Sequence, residues 1–303
     1  MIVRPRPNPV HLFLVMQGSI LLRIVPQILV VFFFSFFVVW IERRYPAVFH
    51  NFTATPFALL GTAISIFLAF RNNACYDRWW EARRMWGQLI LEMRSFARLV
   101  TTLLRGSPSG AAIVRNAIAF TYALNGHLRK QPLPPEVASY LTPTDLAAVS
   151  RSPNPPDAIL RIISRDLAAE LKQAKITDIL YKAIDEHVAA MTSIQSACER
   201  IASTPVPFSY TLLLHRSSSL FCLLLPFGLT TTFGDATPIF AALIAYCFFG
   251  LDALADELEA PFEPSSNELP LNAISRLIEI SLLESIGETN LPLALEPVDY
   301  ILT

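Results

Sequence analysis

Residues 51–87 read NFTATPFALLGTAISIFLAFRNNACYDRWWEARRMWG. The first twenty of these, 51–70, carry no charge, and that length is enough for one α-helix to cross a bilayer. The remaining seventeen hold four arginines and three tryptophans, a composition suited to the headgroup region and the water beyond it. The helical pattern does not stop at that border. A helix that leaves the membrane and continues as a basic, aromatic helix reads as one wall of a path from lipid depth into the cytosol.

The rest of the chain agrees with a membrane protein. Hydrophobic residues make up 53% and charged residues 16% of it, with a mean hydropathy of +0.44. A soluble domain has about a quarter of its residues charged. The net charge of −1 supplies no field that would draw nucleic acid. Four segments qualify as spans: 24–41, bracketed by Arg23 and Glu42; 51–70; 217–234, between Arg216 and Asp235 with an apolar lead-in at 206–214; and 236–251, ending at Asp252. The fourth is short, and a buried core helix is its rival reading. Only Asp235 separates the last two runs, so 230–238 is predicted to be a tight turn between antiparallel helices.

Basic residues set the orientation. Arg4, Arg6 and Arg23 precede the first span, and the 35 residues after the second hold seven arginines against three carboxylates. The turn at 230–238 holds no Lys or Arg, so both termini and the middle of the chain are predicted to be cytoplasmic, in the cell inner (plasma) membrane. Arg43 and Arg44 count against this, offset partly by Glu42. A secretory signal does not fit, because the first apolar run starts at residue 24 and no small-residue cleavage pattern follows it.

The predicted organisation is a cytosolic segment (1–23), spans one and two (24–70), a cytosolic helical domain (71–205), spans three and four (206–251), and a cytosolic helix and tail (252–303). Within the middle domain, helices are predicted from 71 to 104, 111 to 129, 157 to 174 with Asp157 as cap, and 177 to 197, then a last one at 271–283. Strand patterns are nearly absent, so the fold class is all-α. Cys75, Cys198, Cys222 and Cys247 are scattered without a C-x-x-C pair, and read as reduced, packed thiols. His11, His50, His127, His187 and His215 show no metal-ligand spacing. No phosphate-binding loop, nucleophile elbow or zinc-protease motif is present, so the sequence predicts neither an enzyme nor a cofactor or metal.

FRNN (70–73), RWWEAR (78–83) and MWG (85–87) are followed in order by CERIASTPVPF (198–208), LHR (214–216), FFGLDAL (248–254), ELEAPF (257–262) and NELPL (267–271). Together these blocks resemble the bestrophin family in its bacterial branch. The resemblance implies a homopentameric ion channel with four spans per subunit, a helical cytosolic domain and one axial conduit. It places three rings of a narrow hydrophobic neck on the second span, at Thr62, Ile66 and Phe70. Steps of four residues advance about 40° each on an α-helix, so the three share one face. Such a constriction gates by dewetting and ring size. An isoleucine is expected where Thr62 stands, and its hydroxyl predicts a leakier or wider upper neck. Apolar residues four apart occur in every membrane helix, so the spacing alone does not identify a pore.

The resemblance also implies a second aperture at the cytosolic exit, for which Ile176, Ile179 and Leu180 are candidates, Ile179 or Leu180 favoured. Arg71, Asn72, Arg78, Trp79, Trp80, Arg83, Arg84 and Trp86 are read chiefly as interfacial anchors, with inter-subunit salt bridges to Glu81, Glu92 or Glu199. The competing reading lines the conduit with the arginines. Asp252, Asp256, Glu257, Glu259 and Glu263 could supply hard oxygen ligands. Animal relatives bind calcium through an unbroken acidic run after Pro-Phe, whereas Glu263-Pro264-Ser265-Ser266-Asn267-Glu268 follows here, so no calcium requirement is predicted. The expected partners are further copies of the chain, the bilayer and monovalent ions, sodium ahead of chloride. The alternatives are an anion channel and a non-conducting membrane-anchored scaffold.

Overall fold

The computed structural model describes residues 1–4, 15–16, 18–46, 53–265 and 267–303. Arg6, His11, His50, the first two residues of the predicted second span and Ser266 lie outside them. In chain order the helices are α1 (Leu21–Arg44), α2 (Ala54–Leu103), α3 (Pro108–Leu128), α4 (Pro135–Tyr140), α5 (Pro143–Ser150), α6 (Pro155–Lys172), α7 (Asp178–Ser203), α8 (Phe208–Phe233), α9 (Thr237–Glu259) and α10 (Leu271–Ser285). Among the described residues the only β pairing is the isolated bridges Ile2–Ile301 and Val298–Ile301.

Prolines begin several of the helices. Proline sits in the first turn of α3, α4, α5, α6 and α9, where its missing N–H costs nothing. Side-chain caps complete the starts: Thr142 accepts from the Asp145 N–H, Asn154 from Asp157, and Thr177 from Leu180. The predicted cap Asp157 is thus one turn inside its helix, and Asn154 does the capping. The lead-in at 206–214 and the charge-free run after Arg216 form one helix, α8, because a lone His-Arg pair does not interrupt backbone hydrogen bonding.

The chain divides into two units, one of residues 5–79 and 205–260 and the other of residues 1–4, 80–204 and 261–303. The first is apolar. Among the described residues, three helical stretches are long and apolar enough to cross a membrane: Leu21–Arg44, Ala54–Leu103 and Phe208–Glu259. The last is two helices, α8 and α9, joined by a three-residue 3₁₀ turn, Gly234–Ala236, with Gly234 at φ +49°. Phe221 and Phe248, on opposite sides of that turn, have ring centroids 4.9 Å apart, so the two helices fold back on each other. α1 runs antiparallel to α9, tied by Arg23 to Asp256 at 2.8 Å at one end and by Arg43 to Asp235 at the other. Asp235 therefore neutralises one of the two arginines that argued against the predicted orientation. α2 and α8 exchange rings for glycines. A Cβ on Gly61 would sit 2.8 Å from the Phe221 ring, and one on Gly228 would sit 2.3 Å from the Phe57 ring. Ile24, Val31, Ile64, Leu68, Leu225 and Ala245 fill the core between these helices.

The second unit is built around α3, which is buried over most of its length. α4, α6 and α10 pack against it. One buried cluster ties it to its neighbours: the Tyr122 hydroxyl donates to Glu279 Oε2 at 2.6 Å, Tyr140 donates to the other oxygen, and Arg276 lies 3.2 Å from Glu279. Burial and the hydrogen bond to Glu279 raise both tyrosine pKa values well above the ordinary phenol.

Candidate functional site: the exposed face of α2

Between Gly61 and Cys75, α2 buries Gly61, Ile64, Leu68, Arg71 and Cys75, at alternating steps of three and four residues. At about 100° per residue this is one stripe, and its centre lies about 180° from that of Thr62, Ile66 and Phe70. Those three are exposed in the single chain, Ile66 by 50% and Phe70 by 61%. Thr62 Oγ1 donates to the Ala58 carbonyl at 2.8 Å, so its proton is used within the helix while oxygen lone pairs stay available to water. Beside Thr62 and Ile66 an apolar groove of about 650 Å³ is floored by Gly61, Ser65, Phe221 and Phe248.

Arg71 fixes the rotation of this helix. Its side chain is 0% exposed, with Nη1 donating to Asp252 Oδ1 at 2.7 Å and Nη2 to Asp256 Oδ1 at 2.7 Å, and Glu259 at 3.4 Å. Next to it, Asn72 Nδ2 donates to the Leu68 and Leu251 carbonyls, both at 3.0 Å. Arg78 Nε reaches the Glu259 carbonyl at 2.6 Å, and His215 Nδ1 lies 2.7 Å from Asp252 Oδ2. With Arg23 on Asp256, α1, α2, α8 and α9 all meet in one charge network. Phe70 faces out because its neighbour Arg71 must face in.

Within the chain, Glu81, Glu92 and Glu199, the acids expected to bridge between copies, have bonds of their own. Glu81 holds Arg200 at 2.7 Å, Glu92 holds His187 at 2.8 Å, and Glu199 accepts from Asn154 and Gln195. Arg71 instead finds Asp252, Asp256 and Glu259, the acids read from the sequence as conceivable calcium ligands. Their spacing of four and three puts them on one face of a helix, a signal that marks partners for a buried arginine as readily as ligands for a metal. Among the described residues, no group of three or more His, Cys, Asp or Glu is placed to hold a metal ion.

The remaining site residues separate by burial. Trp86 is fully buried on the helix seam, Trp79 and Arg83 are partly buried, and Trp80 and Arg84 are exposed. Of the three aperture candidates, Ile176 is 4% exposed, whereas Ile179 stands 81% exposed one residue into α7 and Leu180 is half-buried. Cys75, Cys198 and Cys222 are buried free thiols, and burial pushes the Cys198 thiol up to about 12. Cys247, expected to pack, is exposed on α9.

Comparison with known proteins converges on one family. The sequence model of the Bacterial/Fungal Bestrophin protein family matches residues 1–284. A voltage-dependent anion channel-forming protein of Mesorhizobium japonicum is 45% identical over 288 residues, covering 95% of this chain and 93% of the relative. The protein of that description from Escherichia coli K12 is 42% identical over 297 residues, 98% of each chain. The crystal structure of a bacterial bestrophin homologue from Klebsiella pneumoniae superimposes with a TM-score of 0.84 at 35% identity, covering 88% of this chain and 99% of that one. An all-α chain with membrane-length helices, matched over nearly its whole length in sequence and in structure, is a member of the bacterial bestrophin family of ion channels.

Proposed function

We propose that the chain is one subunit of a homopentameric channel for monovalent ions in the inner membrane. Five α2 helices surround the axis, and Thr62, Ile66 and Phe70 form the neck. The observation that carries this is the exposed face of α2. A membrane-length helix anchored through Gly61, Leu68 and Arg71 leaves the opposite face without a partner in its own subunit. The groove beside Thr62 and Ile66 seats the adjacent copy, because small side chains let membrane helices approach closely. Both termini and the helical unit of 80–204 lie on the cytoplasmic side, and Ile179 or Leu180 narrows the exit there. Rings of isoleucine and phenylalanine control hydration and carry no charge preference.

The ion preference we propose is for cations, sodium before chloride. A second reading, an anion channel, is favoured by the anion channel-forming names of the relatives. Planar-bilayer recording of the reconstituted protein under a NaCl gradient tests both: the sign of the reversal potential separates them. In the same recordings Ile66→Ala and Phe70→Ala widen and wet the neck and should raise current or reduce its gating. Absence of current in every variant leaves only the non-conducting scaffold.

A further inference from the structure

The arc of α2 that holds the neck residues does not end at Phe70. Counting 100° per residue from Thr62, Ile66 falls at about 40° and Phe70 at about 80°. Asn73 returns to about 20° and Asp77 to about 60°, inside the same arc. Both are exposed. The other ionisable side chains that α2 carries up to Trp79 lie elsewhere on its circumference. Arg71 and Arg78 fall at about 180° and 160°, on the buried side, and are held by Asp252, Asp256 and Glu259. The helix therefore sorts its charges by face, turning both arginines into the bundle and its single carboxylate out.

The acids of α9 are neutralised in a way Asp77 is not. Asp252 meets Arg71 and His215, Asp256 meets Arg71 and Arg23, and Glu259 meets Arg71. No ion pair engages Asp77 among the described residues. Seven residues separate it from Phe70, which on a rise of 1.5 Å places it roughly 10 Å beyond the last neck ring.

We infer that Asp77 is the charge-selecting residue of the conduit: a ring of its carboxylates directly past the neck concentrates monovalent cations and repels chloride. This deepens the channel reading and rests on it. Symmetry multiplies one exposed carboxylate into a ring, and a ring of like charge between low-dielectric walls raises the local counter-ion concentration about tenfold or more. The neck decides whether water and ions pass, and Asp77 decides which sign is enriched at its mouth.

The test compares wild type, Asp77→Asn, Asp77→Glu and Asp77→Lys by bilayer recording in NaCl gradients. Asp77 is exposed, so none of these disturbs the buried seam, and intact assembly is checked by size-exclusion chromatography. Asp77→Asn should lower the sodium-to-chloride permeability ratio about threefold or more near 0.15 M salt, and less at 1 M, where the Debye length shrinks from about 8 to about 3 Å. Asp77→Lys should push the ratio further in that direction, while Asp77→Glu should hold it near wild type. An unchanged ratio in a conducting Asp77→Asn or Asp77→Lys channel overturns the inference and leaves the channel reading standing. Absence of wild-type current overturns the channel reading itself.

Discussion

Arg71 keeps its charge without solvent because Asp252, Asp256 and Glu259 surround its guanidinium from one face of α9. Replacing it with alanine strands Asp252, whose side chain is 7% exposed, with only His215 beside it. Breaking one side of a buried ion pair costs about 3–5 kcal/mol. Arg71→Ala should therefore lower the melting temperature of the detergent-solubilised protein sharply. Arg71→Lys should recover part of it, since an ammonium cannot serve two carboxylates in the forked geometry of a guanidinium. The double variant Arg71→Met, Asp252→Asn should lose less than Arg71→Ala, because the unpaired buried charge is then gone. The arginine itself was plain in the sequence. Its partners were not, since 181 residues separate Arg71 from Asp252 and acids nearer in sequence offered a shorter story.

At the scale of elements, the exchange of glycine for phenylalanine decides how closely α2 and α8 approach. A methyl group on Gly228 would lie 2.3 Å from the Phe57 ring, which is inside contact distance and leaves the ring or the helix to move. Overpacking of this kind costs about 1–3 kcal/mol. Gly250→Ala is the internal control, for its nearest neighbour would be the Ile24 Cδ1 at 3.8 Å, an ordinary contact. Thermal unfolding should separate the two, with Gly228→Ala destabilised and Gly250→Ala unchanged or slightly more stable from better helix propensity. Equal melting temperatures for both would remove the close approach of these helices. The helices themselves were legible beforehand: the predicted bounds 271–283 and 177–197 fall within observed Leu271–Ser285 and Asp178–Ser203 to within about one residue at their starts. The longer error, at α8, arose from treating His215 and Arg216 as a border. His215 reaches Asp252 near the start of α8, and the apolar helix runs past the pair.

On the scale of the whole molecule, the exposed strip Thr62, Ile66, Phe70 asks for company that one chain does not supply. The proposed ring of five subunits predicts a single species of five subunit masses in native mass spectrometry from mild detergent. A monomer or dimer under conditions that preserve the conductance would sink the ring. The aromatic side chains of α1, Phe33, Phe36, Phe37 and Trp40, are exposed as well, but they are bulky and lie on a helix whose buried face already contacts α8 and α9. Such a surface suits lipid tails and an interfacial belt.

Length without charge, the arginines beyond it and the order of the family blocks were enough to read a membrane protein, an all-helical fold and membership of this family from the sequence alone. Those are properties of local composition and of covalent order, which no folding step alters. Which acids neutralise Arg71, which face of α2 stays open, that Ile176 is buried while Ile179 is not, and that Asp77 is exposed outside the ion pairs needed the tertiary structure. Each depends on the rotation of one helix against another, and that rotation is set by contacts between residues far apart in the chain.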